Sequence, residues 1–188
     1  MVRRFGITAT GWLGAGLFLS ACTTMPPEGI TPVTGFELDR YLGTWHEIAR
    51  LDHRFERGLV AVTAEYALRD DGGVSVTNRG FDTEDGEWTV AEGRAYFAGE
   101  ESTGSLKVSF FGPFFAGYHV LSLDEDAPDY RYALVSGPNR NYLWLLSREP
   151  ILNPADRDRL VALAAELGFP VEELIEVDPD PPADSGSG

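Results

Sequence analysis

Between residues 44 and 149 the chain repeats one pattern: a run rich in Val, Tyr, Phe, Trp and Leu, then a short turn built from Asp, Gly, Asn or Pro. The runs fall at 44–51, 60–69, 74–82, 88–98, 105–111, 117–123, 129–136 and 142–149. Asp70-Asp71-Gly72-Gly73, Asp85-Gly86 and Gly137 to Asn141 are among the turns between them. Turns this short join antiparallel neighbours, so each strand is expected to pair with the next. A sandwich would satisfy the same pattern. Closure, however, removes the exposed edges and leaves an interior suited to one small ligand. The expected fold is therefore all-β, an eight-stranded antiparallel up-and-down barrel. One helix is predicted after it: Asn153 caps, Pro154 suits the first turn, and Leu160, Leu163, Ala164 and Leu167 fall on one stripe before Gly168 and Pro170. An apolar stripe must be covered, and the outside of the barrel is the surface on offer.

Composition narrows the chemistry. With 43% hydrophobic and 12% aromatic residues, the 188-residue chain has material for one sizeable core. A formal charge of −15 argues against nucleic acid as a partner, because a polyanion repels where basic proteins gain counterion release. One cysteine rules out an intramolecular disulfide and a cysteine-based zinc site. With three histidines, none paired at metal-ligand spacing, and no G-x-S-x-G elbow, no metal, cofactor or catalytic residue is expected. A haem reading would need an axial ligand, for which His119 is the histidine on a middle strand.

Residues 1–21 read as a lipoprotein signal peptide, with a basic start, an apolar run from Phe5 to Leu19 and small residues at Ser20 and Ala21. The run is shorter than the roughly 20 residues a membrane span needs. Leu19-Ser20-Ala21-Cys22 resembles the bacterial lipobox, which implies acyl chains on Cys22; the plainer alternative is a secretory signal that leaves an idle thiol. Thr23 after the cysteine implies sorting to the outer membrane of a Gram-negative bacterium, with the body facing the periplasm. Residues 22–34 hold Pro26, Pro27 and Pro32 and read as a lipidated, semi-rigid tether. The folded domain is expected over 35–177, with a last short strand or docked arm at 171–177. Residues 178–188 read as an acidic flexible tail.

Following the chain up and down brings three clusters to one end of the barrel: Gly43-Thr44-Trp45, Asp129-Tyr130, and Arg148. They resemble the three conserved regions of the lipocalin family, in which the tryptophan plugs the barrel floor and the arginine packs across it. The stretches 41–50, 52–58 and 107–114 are similar to the bacterial outer-membrane subgroup, related to apolipoprotein D. Within them, His46 stands where that subgroup usually has tyrosine. The resemblance implies a lipid ligand, a fatty acid or lysophospholipid.

Alternation along the strands supports an apolar lumen. A lumen-facing Trp45 turns Glu47, Ala49 and Leu51 the same way. Val62, Ala64, Tyr66 and Leu68 form a second row, Leu106, Val108 and Phe110 a third, and Tyr142, Trp144 and Leu146 another. These side chains either line a cavity or meet and fill it. Glu47, a carboxylate among them, needs a partner or a proton, with a luminal tyrosine, a water or Arg94 in reach. The rim loops carry Arg54, Arg57 and Arg140, which either pair with a head-group phosphate or are merely solvated. Phe111, Phe114 and Phe115 at that rim have four readings: a cap on the mouth, a membrane contact, a homodimer contact, or packing inward without a function. The function expected is a tethered lipid carrier. The alternatives are an isomerase or hydrolase built on the same barrel, and an adaptor whose barrel only presents a surface.

Overall fold

The computed structural model describes residues 24–182, so the signal peptide, Cys22 and the last residues of the acidic tail lie outside the described residues. The elements are α1 (Leu38–Tyr41), β1 (Gly43–Leu51), β2 (Leu59–Leu68), β3 (Val74–Asp82), β4 (Glu87–Phe97), β5 (Ser105–Ser109), β6 (Ala116–Leu123), β7 (Tyr132–Ser136), β8 (Leu143–Ser147), α2 (Pro154–Glu166) and β9 (Leu174–Glu176). Each strand from β1 to β8 pairs antiparallel with the next, and β1 also pairs with β8, which closes the ring. The up-and-down barrel read from the alternation is the fold. The four-residue α1, too short to leave a periodic signal, crosses beneath the opening of β1.

Closure is not uniform along β1. Its first half, Gly43 to His46, pairs with β2, whereas Ala49 to Leu51 pair with β9. The two strands part where β2 is irregular, between Val60 and Thr63, and where Ala61 has φ of 50°. The C-terminal segment stands in that gap: the Val177 N–H donates to the Ile48 carbonyl, and the Ala61 N–H donates to the Asp178 carbonyl at 2.7 Å. The expected last arm is thus part of the wall.

Apolar packing is split into two bodies by the sheet. Inside, Trp45, Tyr41, Tyr66, Val74, Val76, Leu106, Val120 and Val135 fill the lower lumen together with Phe36 and Tyr130. Outside, Ile48, Leu134, Leu143 and Leu145 meet Leu160 and Ala164 of α2. The helix starts as its sequence dictates, with the Asn153 side chain accepting from the Ala155 N–H and proline in the first turn. Gly168, at φ of 80°, turns the chain away at its end.

The segment expected to be a tether is largely docked. Val33 bonds through its backbone to Val120 and Gly104, Thr34 bridges to Thr103, and Ile30 is buried among the outer apolar residues. Prolines leave the backbone extended, and an extended backbone with free N–H groups can add to a sheet's outer surface as readily as it can span solvent. The seventh strand begins at Tyr132 and not at 129, because Tyr130 takes φ of 46° in the turn before it.

Candidate functional site

The floor is built around Trp45, which has no solvent exposure. Its indole N–H donates to the Tyr41 carbonyl at 2.8 Å, and the Arg148 guanidinium lies 3.9 Å from the ring centre. That guanidinium also donates to the carbonyls of Thr44, Arg40 and Asp129. Gly43 is favoured at its position by its backbone, whose φ of 91° is one that L residues rarely adopt. Tyr130, buried, accepts from the Glu37 N–H and carries Arg40 over its ring at 4.0 Å. The three clusters that the topology brought together therefore form one plug.

Above the plug is a cavity of about 490 Å³. Val62, Ala64, Tyr66, Val76, Val108, Phe110, Tyr118, Tyr142, Trp144 and Leu146 form most of its wall. Phe110 lies against Gly93, where a Cβ would come within 2.9 Å of the ring, so the glycine makes room for the aromatic wall. At the base of the cavity the hydroxyls of Tyr41 and Tyr66 both meet that of Tyr118, at 2.6 and 2.9 Å. Burial raises the pKa of all three phenols, so they stay neutral and serve as hydrogen-bonding groups.

One side of the wall is polar. Glu47 pairs with Arg50 at 2.7 Å, both nearly without exposure. Arg50 also donates to the carbonyls of Glu56 and Leu59, which draws the loop between β1 and β2 inward. The Glu56 carboxylate accepts from the Trp144 indole and lies 3.1 Å from the His53 imidazole. Burial and the adjacent Glu56 raise the Glu47 pKa to about 8, against the pull of Arg50. Burial works the same way on Glu56, but His53, Trp144 and Arg50 outweigh it and hold its pKa below the usual value. The cavity therefore presents two carboxyl groups of opposite tendency, Glu47 raised and Glu56 lowered, in a wall that is otherwise aliphatic and aromatic.

Most of the residues expected in the lumen are there: Glu47, Val62, Ala64, Tyr66, Val108, Phe110, Tyr142 and Trp144 line the cavity. Trp45 and Leu106 also face inward but belong to the packed layer below it. Ala49 and Leu51 do not face the lumen; they pack outward with Ile48 and α2. The reason is a bulge between Glu47 and Ala49, which resets the alternation so that Arg50 takes the inward place. Leu68 is 56% exposed at the strand's lower end. Glu47 finds its partner in Arg50 and not in Arg94, whose side chain stands on the outer face of β4 against Phe115.

None of the rim arginines lines the cavity. Arg57 is held by Asp52 at 2.5 Å, and Arg140 donates to the Leu167 and Glu28 carbonyls, which ties the helix end and the N-terminal segment to the rim. Arg54 is exposed. His119 points away from the lumen, fully buried under the N-terminal segment, with Nδ1 3.0 Å from the Ser105 hydroxyl. It cannot serve as an axial ligand inside the barrel. Sequence reasoning missed Arg50, His53, Glu56, Asn78 and Tyr118. Period two along β3 and β6 marks Asn78 and Tyr118, whereas the inward fold of a charged loop leaves no sequence signal.

Comparison with known proteins is consistent along the chain. The family model described as a lipocalin-like domain matches residues 36–179. The outer membrane lipoprotein Blc of Citrobacter freundii is 52% identical over 164 residues, covering 87% of this chain and 91% of that protein. The protein of the same name from Vibrio cholerae is 53% identical over 161 residues, covering 86% and 92%. Among solved structures, insecticyanin from the tobacco hornworm Manduca sexta superposes with a TM-score of 0.65 at 24% identity, covering 82% of this chain and 87% of that one.

Proposed function

The chain belongs to the lipocalin family, whose members are ligand-binding carriers for small hydrophobic molecules, and from that premise we propose that it carries single-chain amphiphilic lipids. The ligands of this reading are lysophospholipids or fatty acids. The protein would be held by acyl chains on Cys22 to the outer membrane, with its body in the periplasm. The observation that carries the ligand reading is the cavity itself: about 490 Å³, walled mainly by Val, Ala, Phe, Trp, Tyr and Leu, above a sealed floor. That volume lies within the roughly 300–1,000 Å³ of small-molecule sites. An acyl chain is the ligand such walls favour, because it exchanges water for apolar contact along its length. The polar side of the wall gives a head group hydrogen-bonding partners. The names of the outer-membrane relatives support the location, and no helix among the described residues is long and apolar enough to cross a membrane, which is compatible with attachment through lipid. One acyl chain gives marginal residence and several give lasting attachment.

The reading is non-catalytic: Glu47 and Glu56 are tied to Arg50, His53 and Trp144. The test is to strip bound lipid from the purified protein and titrate lysophosphatidylcholine or palmitate while following emission from Trp144. A saturable change at one equivalent, with lipid of that class in the mass spectrum of protein gently released from membranes, is the expected result. No saturable change and no co-purifying lipid would sink the reading.

A further inference from the structure

We infer that the turn between β5 and β6 is a bilayer-docking surface, which sets one edge of the cavity mouth against the lipid head-group layer. This rests on the reading that Cys22 is acylated. Three features of the molecule meet at this turn. First, it is apolar and bare: Phe111 is 84% exposed and Phe114 67%, on a chain where most aromatic side chains are packed. An exposed phenylalanine ring gains by leaving water for the boundary of the acyl layer, as on the apolar face of interfacial segments.

Second, the turn itself is uncharged, and two cations of the neighbouring strands stand beside it on an acidic protein. The Arg94 guanidinium lies 5.7 Å and the Lys107 ammonium 5.6 Å from the Phe115 ring centre. Cations beside aromatic rings are drawn to anionic head groups. The opposite end of the barrel carries Glu100, Glu101, Glu125 and Asp126 in its turns, and the hairpin between β3 and β4 carries Glu84 and Asp85. A negative membrane repels the far end, so the open end is the one to approach. The acidic β3–β4 hairpin stands at that same end, and the approach is tilted away from it, onto the β5–β6 turn.

Third, the anchor leaves the body nearby. The Met25 backbone lies beside the His119 side chain on β6. Cys22 is three residues before Met25, a reach of about 10 Å at most. His119 is likewise three strand residues, roughly 10 Å, from Ala116, where β6 emerges from the aromatic turn. Anchor and turn thus share one flank of the barrel. Phe110 and Ala116, at the two ends of the turn, line the cavity, so a docked turn puts the mouth beside the lipid a carrier would load or release.

The test uses the full chain, acylated and reconstituted into vesicles of phosphatidylethanolamine and phosphatidylglycerol at 3:1. Because acylation consumes the Cys22 thiol, Phe114→Cys and Glu101→Cys each offer one site for a nitroxide label. The label at 114 is expected to collide several-fold more with dissolved oxygen than with a water-soluble nickel chelate, and the label at 101 to show the reverse. Water-like accessibility at 114 would overturn the proposal, as would spin–spin broadening there, the mark of two copies meeting through this patch. In a second measurement, Phe111→Ser with Phe114→Ser should slow uptake of lysophospholipid from the same vesicles at least tenfold, while equilibrium binding in solution is unchanged; unchanged uptake would count against docking. A bilayer-buried label at 114 on a protein that binds no lysophospholipid would overturn the carrier function and leave the docking standing. Bound lipid with a wet label at 114 would do the opposite.

Discussion

Glu47 and Glu56 are buried beside one arginine, and their environments push the pKa values of the two carboxyls apart. Folding leaves Glu47 with a pKa of about 8 where its ordinary value is 4.5. The folded state therefore keeps a proton that the unfolded chain loses. This contribution to stability is complete below pH 4.5 and is lost as pH rises through about 8. Glu47→Gln preserves the neutral form and removes the linkage. Urea unfolding at pH 5, 7 and 9 should show the native protein losing stability relative to the variant as pH rises, with the two nearly equal at pH 5. The presence of a carboxylate at this place was legible in the sequence, since period two from Trp45 reaches Glu47. Its partner was not: Arg50 has the wrong parity for an unbroken strand, and only the bulge after Glu47 turns it inward.

At the scale of elements, the strands were readable because both signals of a half-buried ribbon, alternation and punctuating turns, are strong from Thr44 to Ser147. The helix was readable from its cap and stripe. What periodicity cannot convey is docking of irregular segments. Residues 27–34 and 174–178 have no repeating pattern, yet both lie on the sheet, held by backbone hydrogen bonds that any sequence can supply. The second of these has an energetic consequence. Removing residues 174–188 strips three paired positions from β1, takes away the buried Val177 side chain and leaves the Ala61 N–H without its acceptor. A loss of about 3 kcal/mol is expected from one buried aliphatic side chain and the net worth of a few hydrogen bonds. With a urea dependence of about 2 kcal/mol per molar, the unfolding midpoint should fall by roughly 1.5 M, read by circular dichroism.

For the whole molecule, the division of the lumen into a packed lower half and an open upper half decides what can be measured. The family pattern foretold the plug, but where packing stops and vacancy starts depends on the sizes of side chains that meet across the barrel, which no single strand reveals. A ligand that occupies only the folded form adds stability by mass action, about 2.7 kcal/mol at a hundred times its dissociation constant. Lysophospholipid at that excess should raise the thermal midpoint of the native protein. Val108→Trp, which fills the cavity from the wall between Leu106 and Phe110, should abolish that rise while leaving the midpoint without lipid within a few degrees; an undiminished rise would place the ligand elsewhere.

The seam sealed by the C-terminal segment also bears on how such a chain matures. The staves of the cask are synthesised in order, but the one that fits between the first and second comes after all the others. A chain emerging N-terminus first cannot complete its vessel until residues 174–178 have been delivered. A nascent or clipped molecule keeps a slit down one side, through which water reaches the interior and hydrocarbon leaks out. Sealing is thereby coupled to synthesis of the ninth strand, and a copy that stops before it is leaky before it is unfolded.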